Sequence, residues 1–228
     1  MYICDLKTII LVTQSEENYL KAIFHLGKQG SIAVSTNAIA DKMNTKASSV
    51  TDMLKKLAKK DLVDYKKYKG VSLTKTGKVI AANVVRKHRL WEVFLVEKLN
   101  FSWDEVHDVA EQLEHIKSQK LINGIDALLN FPTHDPHGDP IPDREGNLQK
   151  SQKIFLSQVN QNVNCSCVGV RDSSANFLKY LDKNNIALGT DIQVLTKEPF
   201  DESMTIKIND SELTISKEIA SNMYVKIN

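Results

Sequence analysis

The apolar residues of the chain change their spacing along its length, and this change predicts two kinds of secondary structure. In residues 15–29 apolar side chains recur every three or four positions, as they do on one face of a helix. The same spacing predicts a short helix over 35–43 and a longer helix over 46–63. Residues 64–78 instead place tyrosine, valine and leucine around Gly70, which indicates two short strands joined by a turn. This order is typical of a winged helix-turn-helix, a DNA-binding fold.

The middle of the chain predicts further helices. Residues 74–100 form one long amphipathic pattern, and residues 102–132 form a second helical region that we expect to break near Ser118. The proline- and glycine-containing stretch 133–149 predicts an irregular linker. This linker marks the end of a helical domain.

The last third of the chain has a different pattern. Short segments of alternating apolar and polar residues flank one helical segment, 173–185, which predicts a small β domain of the SH3-like barrel type. The fold class is therefore mainly α with a small β part. We predict three domains: a winged helix-turn-helix over 1–80, a helical dimerisation and metal-binding domain over 81–149, and the SH3-like domain over 150–228.

Composition narrows the class of protein. With 228 residues, 42% hydrophobic and 25% charged, the chain is expected to be a folded globular protein. No apolar run is long enough to cross a bilayer, and the first residues lack the features of a signal peptide. Three cysteines do not make a disulfide framework. We therefore expect a cytoplasmic protein with no membrane partner.

The net charge of +2 conceals an uneven distribution. Residues 42–89 carry fourteen Lys or Arg against three Asp or Glu, a local excess of eleven positive charges. A solvated lysine-rich helix face is the ordinary explanation, but its coincidence with the predicted winged helix favours double-stranded DNA as a partner. The candidate DNA contacts lie at the start of the helix predicted to enter the major groove and in the hairpin: Thr45, Lys46, Ser48, Ser49, Thr51, Lys66, Lys67 and Lys69.

Metal-binding side chains recur on the two helices that follow. His107, Glu111 and His115 are four residues apart and share one helix face. Glu114 joins that face, and the preceding helix carries His88 and Glu92, again four apart. One such pair is common on helix surfaces, but two pairs on adjacent helices favour a divalent ion. Mixed imidazole and carboxylate donors suit Mn(II), Fe(II), Co(II) or Zn(II).

Catalytic motifs do not accompany these residues. The HExxH motif of zinc proteases is absent, and the spacing differs from the Glu-x-x-His pattern of di-iron proteins. We therefore expect no enzyme and no small-molecule substrate. Two alternatives stay open: a winged-helix regulator that responds to a small organic effector, with a structural His/Glu cluster, and a metalloenzyme fused to a DNA-binding module. His134 and His137 are interpreted as structural parts of the linker.

Residues 13–149 resemble the diphtheria toxin repressor family of metal-dependent transcriptional repressors, which includes the manganese transport regulators. The resemblance rests above all on "RKHRLWE" at 86–92, "VHDVAEQLEH" at 106–115 and "DPHGDPIP" at 135–142. It implies a homodimer that binds a palindromic DNA operator, with a metal ion as corepressor that fixes the dimer for binding. It also implies a function in metal-ion homeostasis.

The resemblance further implies two sets of metal ligands. The first set is His88, Glu92 and His107, and the second is Glu111, Glu114 and His115 with a ligand from the first helix at Asn18. The sequence departs from relatives at Asn18, where they have a sulfur or a carboxylate, and at Lys21, which is acidic in some of them. Glu111 matches the manganese-type members, so we expect Mn(II) first and Fe(II) second, with other divalent transition metals binding in vitro.

Overall fold

The computed structural model describes residues 11–66, 69–149 and 153–228. The chain divides into two compact units. One comprises the residues up to Lys87 together with Pro142–Asn147, and the other comprises His88–Ile141 and Leu148–Asn228. The predicted domain limits near residues 80 and 149 stay a prediction.

The first unit is the predicted winged helix-turn-helix, which the structure confirms. Its elements follow the predicted order: α1 (Gln14–Leu26), α2 (Thr36–Lys42), α3 (Ala47–Lys59), β1 (Val63–Lys66) and β2 (Gly70–Leu73). The two strands pair antiparallel, and Val34 adds a bridge to Val71. Gly70 has φ +88°, and a Cβ there would lie 2.7 Å from the Val34 carbonyl oxygen, so this position requires glycine.

Apolar side chains from all three helices form the core of this unit. Leu20 and Ile23 of α1, Ile39 of α2 and Leu54 of α3 are fully buried. The turn between α2 and α3 passes through Asn44 at φ +47°, a conformation that asparagine tolerates better than most residues. This turn sets the direction in which α3 leaves α2.

A buried carboxylate ties α1 to α3. The carboxylate of Glu16 accepts a hydrogen bond from the Thr13 backbone N–H, while Thr13 Oγ1 accepts from the Glu16 N–H, which completes a capping box. The same carboxylate lies 2.8 Å from Lys60 Nζ and 3.3 Å from Lys56 Nζ. Although burial alone would raise it, these hydrogen bonds lower the pKa of Glu16 to about 2.

Helix α1 begins directly after its N-cap residue, Thr13. Thr13 is the N-cap because the Thr-x-x-Glu spacing from Thr13 to Glu16 allows the reciprocal hydrogen bonds. The helix region 102–132 breaks as predicted, since Ser118 is the N-cap of its second helix. The first of these helices begins at Val106 rather than at Ser102.

Three helices follow the hairpin: α4 (Lys75–Leu99), α5 (Val106–Leu113) and α6 (Gln119–Leu128). Within the second unit, Leu90, Val106 and Ile122 bring them together in one apolar core. The boundary between the two units lies inside α4, between Lys87 and His88. One continuous helix therefore belongs to both units.

The C-terminal part is the predicted small β domain, which is confirmed. Its strands are β3 (Ile154–Phe155), β4 (Asn164–Val170), β5 (Asp191–Lys197), β6 (Met204–Ile208), β7 (Ser211–Ile215) and β8 (Met223–Ile227). They form an antiparallel sheet in the order β3-β8-β4-β5-β6-β7. Over residues 153–228 strands β3 and β7 lie at the edges of this sheet, and no pairing between them closes it into a barrel.

Helices α7 (Ala175–Lys183) and α8 (Lys217–Ala220) complete this part. Leu178 and Leu181 of α7 are buried against the strands. The sequence did not predict β3, α8 or β8. None of the helices in the described ranges is long and apolar enough to cross a lipid bilayer.

The Glu16 contacts predict a pH-dependent stability. The carboxylate stabilises the fold above pH 4.5, its ordinary pKa, and loses this effect as the pH falls toward about 2. Glu16→Gln should lower the free energy of unfolding at pH 7 by roughly 1.5–3 kcal/mol, the usual size for hydrogen bonds to charged groups. Urea denaturation at several pH values measures this difference.

The matched control is Asp52→Asn, which removes an exposed ion pair with Lys55 on α3. It should change the stability by less than about 0.5 kcal/mol. A Glu16→Gln protein as stable as the wild type at pH 7 would contradict the assignment.

Candidate metal centre and nucleic-acid interface

Glu92 lies at the centre of a cluster of imidazoles in the second unit. Its Oε1 is 3.0 Å from His88 Nε2, 3.6 Å from His107 Nδ1 and 3.7 Å from His137 Nδ1. His88 and Glu92 share one face of α4, His107 is the second residue of α5, and His137 lies in the loop before Ile141. Imidazole rings from three segments of the chain therefore converge on one buried carboxylate oxygen.

His88 extends the cluster toward the end of α5. Its Nδ1 is 2.7 Å from Glu114 Oε2, so its two ring nitrogens face two different carboxylates. Only a doubly protonated ring donates to both at once, and a metal ion can take the place of either proton. Glu114 Oε1 lies 3.7 Å from His115 Nε2, and His107 Nε2 lies 3.7 Å from Glu111 Oε1. The six predicted ligands of α4, of α5 and of the turn that follows α5 therefore form one continuous network.

Two compact ligand groups stand out within the described residues. His88, Glu92 and His107 each offer an atom within 4.8 Å of the others, and so do Glu92, Asp135 and His137. The first group is the first predicted ligand set. Glu111, Glu114 and His115 do not form a comparable group among the residues searched, and as a second set they stay a prediction.

The second compact group was not predicted, because His137 was interpreted as a structural residue of the linker. Asp135 and His137 are both buried. Asp135 Oδ1 accepts hydrogen bonds from the N–H groups of His137 and Asp139, which fold the loop tightly around it. The sequence signal was "DPHGD", where an acidic and an imidazole side chain lie two residues apart beside a glycine. An irregular loop has no periodicity that would show where these side chains point.

The carboxylates of this cluster oppose each other electrostatically. Burial and the nearby charge of Glu92 raise the pKa of Asp135 to about 6, against the effect of Arg89. Arg89 Nε lies 3.2 Å from Asp135 Oδ2. Burial alone would raise the pKa of Glu92. Hydrogen bonds from His107 and His88 outweigh this effect and hold the pKa below its usual range. A divalent cation would neutralise the negative charge that Glu92 and Asp135 concentrate here.

The donor set fits a divalent transition metal. Imidazole nitrogens and carboxylate oxygens favour Mn(II), Fe(II), Co(II) and Zn(II), whereas a thiolate would shift the preference toward softer ions. Cys165 and Cys167 lie in the apolar core of the C-terminal strands, where burial raises the pKa of both thiols, that of Cys165 to about 11. The side chains of the cluster therefore fit the divalent transition-metal ions that the sequence predicted.

Asn18, the remaining predicted ligand, is an exposed residue of α1 in the first unit. Its contribution to a metal site stays a prediction. Lys21 follows on the same helix and is half-buried.

The predicted DNA contacts lie mostly at the exposed start of α3. Thr45, Lys46, Ser48 and Ser49 are exposed, and the N-cap position of α3 is Lys46. Thr51 is half-buried, and its hydroxyl donates to the Ala47 carbonyl at 2.9 Å, which turns this group toward its own helix. In the hairpin Lys66 and Lys69 are exposed, while Lys67 lies outside the described residues.

Three family descriptions match consecutive parts of the chain. Residues 11–71 match "Iron dependent repressor, N-terminal DNA binding domain" and residues 74–143 match "Iron dependent repressor, metal binding and dimerisation domain". Residues 154–227 match the FeoA domain. Together the three matches extend over nearly all of the described chain.

Among similar proteins is the HTH-type transcriptional regulator MntR of Oceanobacillus iheyensis, 35% identical over 149 residues, which are 65% of this chain and 96% of that protein. The iron-dependent repressor IdeR of Mycobacterium tuberculosis is 30% identical over 131 residues. That match covers 58% of this chain and 56% of IdeR, so the chain spans little more than half the length of this relative.

Solved structures are similar over more of the chain. A manganese-dependent transcriptional repressor in complex with manganese has a TM-score of 0.82 at 33% identity, covering 93% of this chain and all of that one. ScaR with bound Zn²⁺ has a TM-score of 0.73 at 31% identity, covering 92% of this chain and 98% of that one.

Because Glu92 belongs to both compact groups, its replacement should affect both. We expect Glu92→Gln to weaken Mn(II) binding at each group by more than the roughly 10–100-fold that loss of an outer-shell partner causes. His107→Ala should weaken only the group that it shares with His88. Titration of Mn(II), followed by electron paramagnetic resonance of the free ion, measures both affinities.

Asp108→Ala is the control, since this carboxylate is exposed and adjacent to His107 on α5. It should bind Mn(II) as the wild type does. Equal Mn(II) binding by Glu92→Gln and the wild type would show that Glu92 is not a ligand.

Proposed function

The chain belongs to the diphtheria toxin repressor family of metal-dependent transcriptional regulators, and from this premise we propose that it is a Mn(II)- or Fe(II)-activated repressor of metal-homeostasis genes. It binds a palindromic double-stranded DNA operator as a homodimer when the metal is bound. It acts as a regulator and not as an enzyme, and we expect it to work in the cytoplasm, where its DNA target lies.

The observation that carries this proposal is the surroundings of Glu92. Three imidazoles from α4, α5 and the loop converge on one buried oxygen of this carboxylate. Burying a carboxylate costs several kcal/mol unless partners compensate it. A protein that needed only a stable core would fill this space with apolar side chains, so the cluster favours a binding role.

Glu111 supports manganese or iron as the metal. It is a carboxylate on α5, within 3.7 Å of His107 Nε2, at a place where a thiolate would favour softer ions. The similar proteins include a repressor in complex with manganese and an iron-dependent repressor. We propose Mn(II) first and Fe(II) second.

Bound metal supplies positive charge and fixed coordination at the carboxylates. Without it, Glu92 and Asp135 repel each other, and this repulsion adds to burial in raising the pKa of Asp135. His88 and Glu92 sit in the part of α4 that directly follows Lys87, the last residue of the first unit in this helix. Ordering these side chains therefore restrains a helix that continues into the DNA-binding unit. Allostery requires only that the metal binds the DNA-competent arrangement more tightly.

Exposed apolar residues support the homodimer. Leu99, Leu121, Leu128 and Phe131 are large apolar residues with 42–61% of their surface exposed. They lie within the segment that matches the metal binding and dimerisation domain. Exposed apolar side chains in such a number favour a protein interface, and a second copy of the chain is the partner that the family implies.

Fluorescence anisotropy with DNA from the promoter of the protein's own gene tests the proposal. At fixed ionic strength, Mn(II) or anaerobic Fe(II) should tighten binding by roughly 5–150-fold, the range of a 1–3 kcal/mol coupling, and chelator should reverse it. Equal binding with chelator and with metal would overturn the proposal and favour the organic-effector alternative.

The variant Glu114→Gln sharpens this test. Its carboxylate joins His88 and His115, so its loss should abolish the metal effect. The weak, salt-sensitive binding to nonspecific DNA should persist, because the exposed lysines of α3 and the hairpin are unchanged.

Replacing Glu111 by cysteine should change the metal ranking. We expect Glu111→Cys to weaken the Mn(II) response relative to Co(II) and Ni(II), because thiolates prefer softer ions. Glu111→Asp is the control, since it keeps the carboxylate. DNA titrations with each metal measure the ranking, and an unchanged order would exclude Glu111 from the selectivity.

A further inference from the structure

We propose that the C-terminal domain positions the imidazole of His137 at the candidate metal centre, by holding it through Trp103. Asp182 of α7 is the positioning residue: it fixes Trp103, whose carbonyl orients His137. This inference rests on the proposed function and deepens it, because it assigns a positioning role to residues of a domain that contains neither of the two compact ligand groups.

The His137 ring is fixed from one side by a backbone group. Its Nε2 lies 2.8 Å from the Trp103 carbonyl oxygen, and its Nδ1 lies 3.7 Å from Glu92 Oε1. A carbonyl only accepts hydrogen bonds, so Nε2 carries the proton and donates it. In the neutral ring the lone pair is then on Nδ1, the nitrogen that a divalent ion bound at Glu92 would meet. The Trp103 carbonyl thereby selects the tautomer that suits a metal ligand.

Trp103 is in turn held by the C-terminal domain. Its indole Nε1 donates to Asp182 Oδ2 at 3.0 Å, and its side chain packs against the apolar core of the C-terminal strands. The next residue, Asp104, lies 3.3 Å from Lys179 Nζ. Lys179 and Asp182 are three residues apart on α7, so one helix face makes both contacts. Buried Leu178 and Leu181 anchor that helix.

The backbone of the same loop is held by β4. The Val170 N–H donates to the His137 carbonyl at 2.9 Å. Gly138 has φ +79°, and a Cβ there would lie 2.0 Å from the Val168 carbonyl oxygen. This close approach occurs at the irregularity of β4 between Cys167 and Gly169. The C-terminal domain therefore fixes both the backbone and the ring of His137.

These contacts form a chain from α7 to the metal centre. It runs from the Asp182 carboxylate to the Trp103 indole, and from the Trp103 carbonyl to the His137 ring beside Glu92. Removing an outer-shell partner typically weakens metal binding about 10–100-fold. Asp182 acts one residue further away, so we expect a loss of about tenfold, at the lower end of that range.

Nuclear magnetic resonance of the full-length, metal-free protein with ¹⁵N-labelled histidine tests the positioning directly. His137→Asn identifies the His137 signals. At a pH at which the ring is neutral, the wild type should show His137 protonated at Nε2, and Asp182→Ala and Trp103→Phe should give a mixture of the two tautomers. Asp182→Asn should restore the wild-type pattern, because its amide oxygen accepts the indole hydrogen bond. Lys183→Ala, an exposed change on the same helix, is the control.

A Mn(II) titration of the same proteins gives the second readout. Asp182→Ala should weaken the group of Glu92, Asp135 and His137 about tenfold and leave the group of His88, Glu92 and His107 within about twofold. An unaltered His137 tautomer in Asp182→Ala overturns the inference, as does unaltered Mn(II) affinity. A wild type that binds no Mn(II) refutes the proposed function instead, and the tautomer spectra still decide whether Asp182 positions His137.

Discussion

One buried carboxylate oxygen organises the candidate metal centre of this protein. Oε1 of Glu92 faces imidazoles from α4, α5 and the loop at 135–139, which are distant in sequence. A buried charge is stable only with partners, so these three segments have to keep their relative positions for the carboxylate to remain ionised. The apolar core formed by Leu90, Val106 and Ile122 provides that arrangement. The charged cluster and the core of the second unit are therefore mutually dependent.

The C-terminal domain extends this dependence to the loop. The close approach of Gly138 to β4 and the hydrogen bond from Val170 place the loop, while Trp103 orients its imidazole. Glu16 has a comparable role in the first unit, where a buried carboxylate joins the start of α1 to the end of α3. In each unit a buried carboxylate with charged partners fixes the position at which two elements meet. Apolar contacts alone would allow these elements to shift along each other.

The sequence predicted the helices, the hairpin of the winged helix-turn-helix and the metal-ligating side chains on one helix face, because each follows a regular spacing. His107 and Glu111 share a face of α5, and their spacing is visible without a structure, whereas His115 lies in the turn after the helix ends at Leu113. His137 and Asp135 were missed because a loop side chain points where tertiary contacts place it. The two-residue strand β3 and the four-residue helix α8 are too short for periodicity to show. β8 alternates buried Met223 and Val225 with less buried neighbours, which is the period-two spacing of a strand.

The enclosure of Cys165 and Cys167 has a consequence for oxidative stress. Thiolates, not thiols, react with peroxides and disulfides, and burial keeps both of these groups protonated. The imidazoles and carboxylates around Glu92 are not substrates for thiol oxidation. Within the described chain, the proposed metal ligands are therefore separate from the thiols that oxidation could affect. Under the proposed function, the supply of metal ions is therefore sensed through donors that keep their chemistry when the thiol redox state of the cell changes.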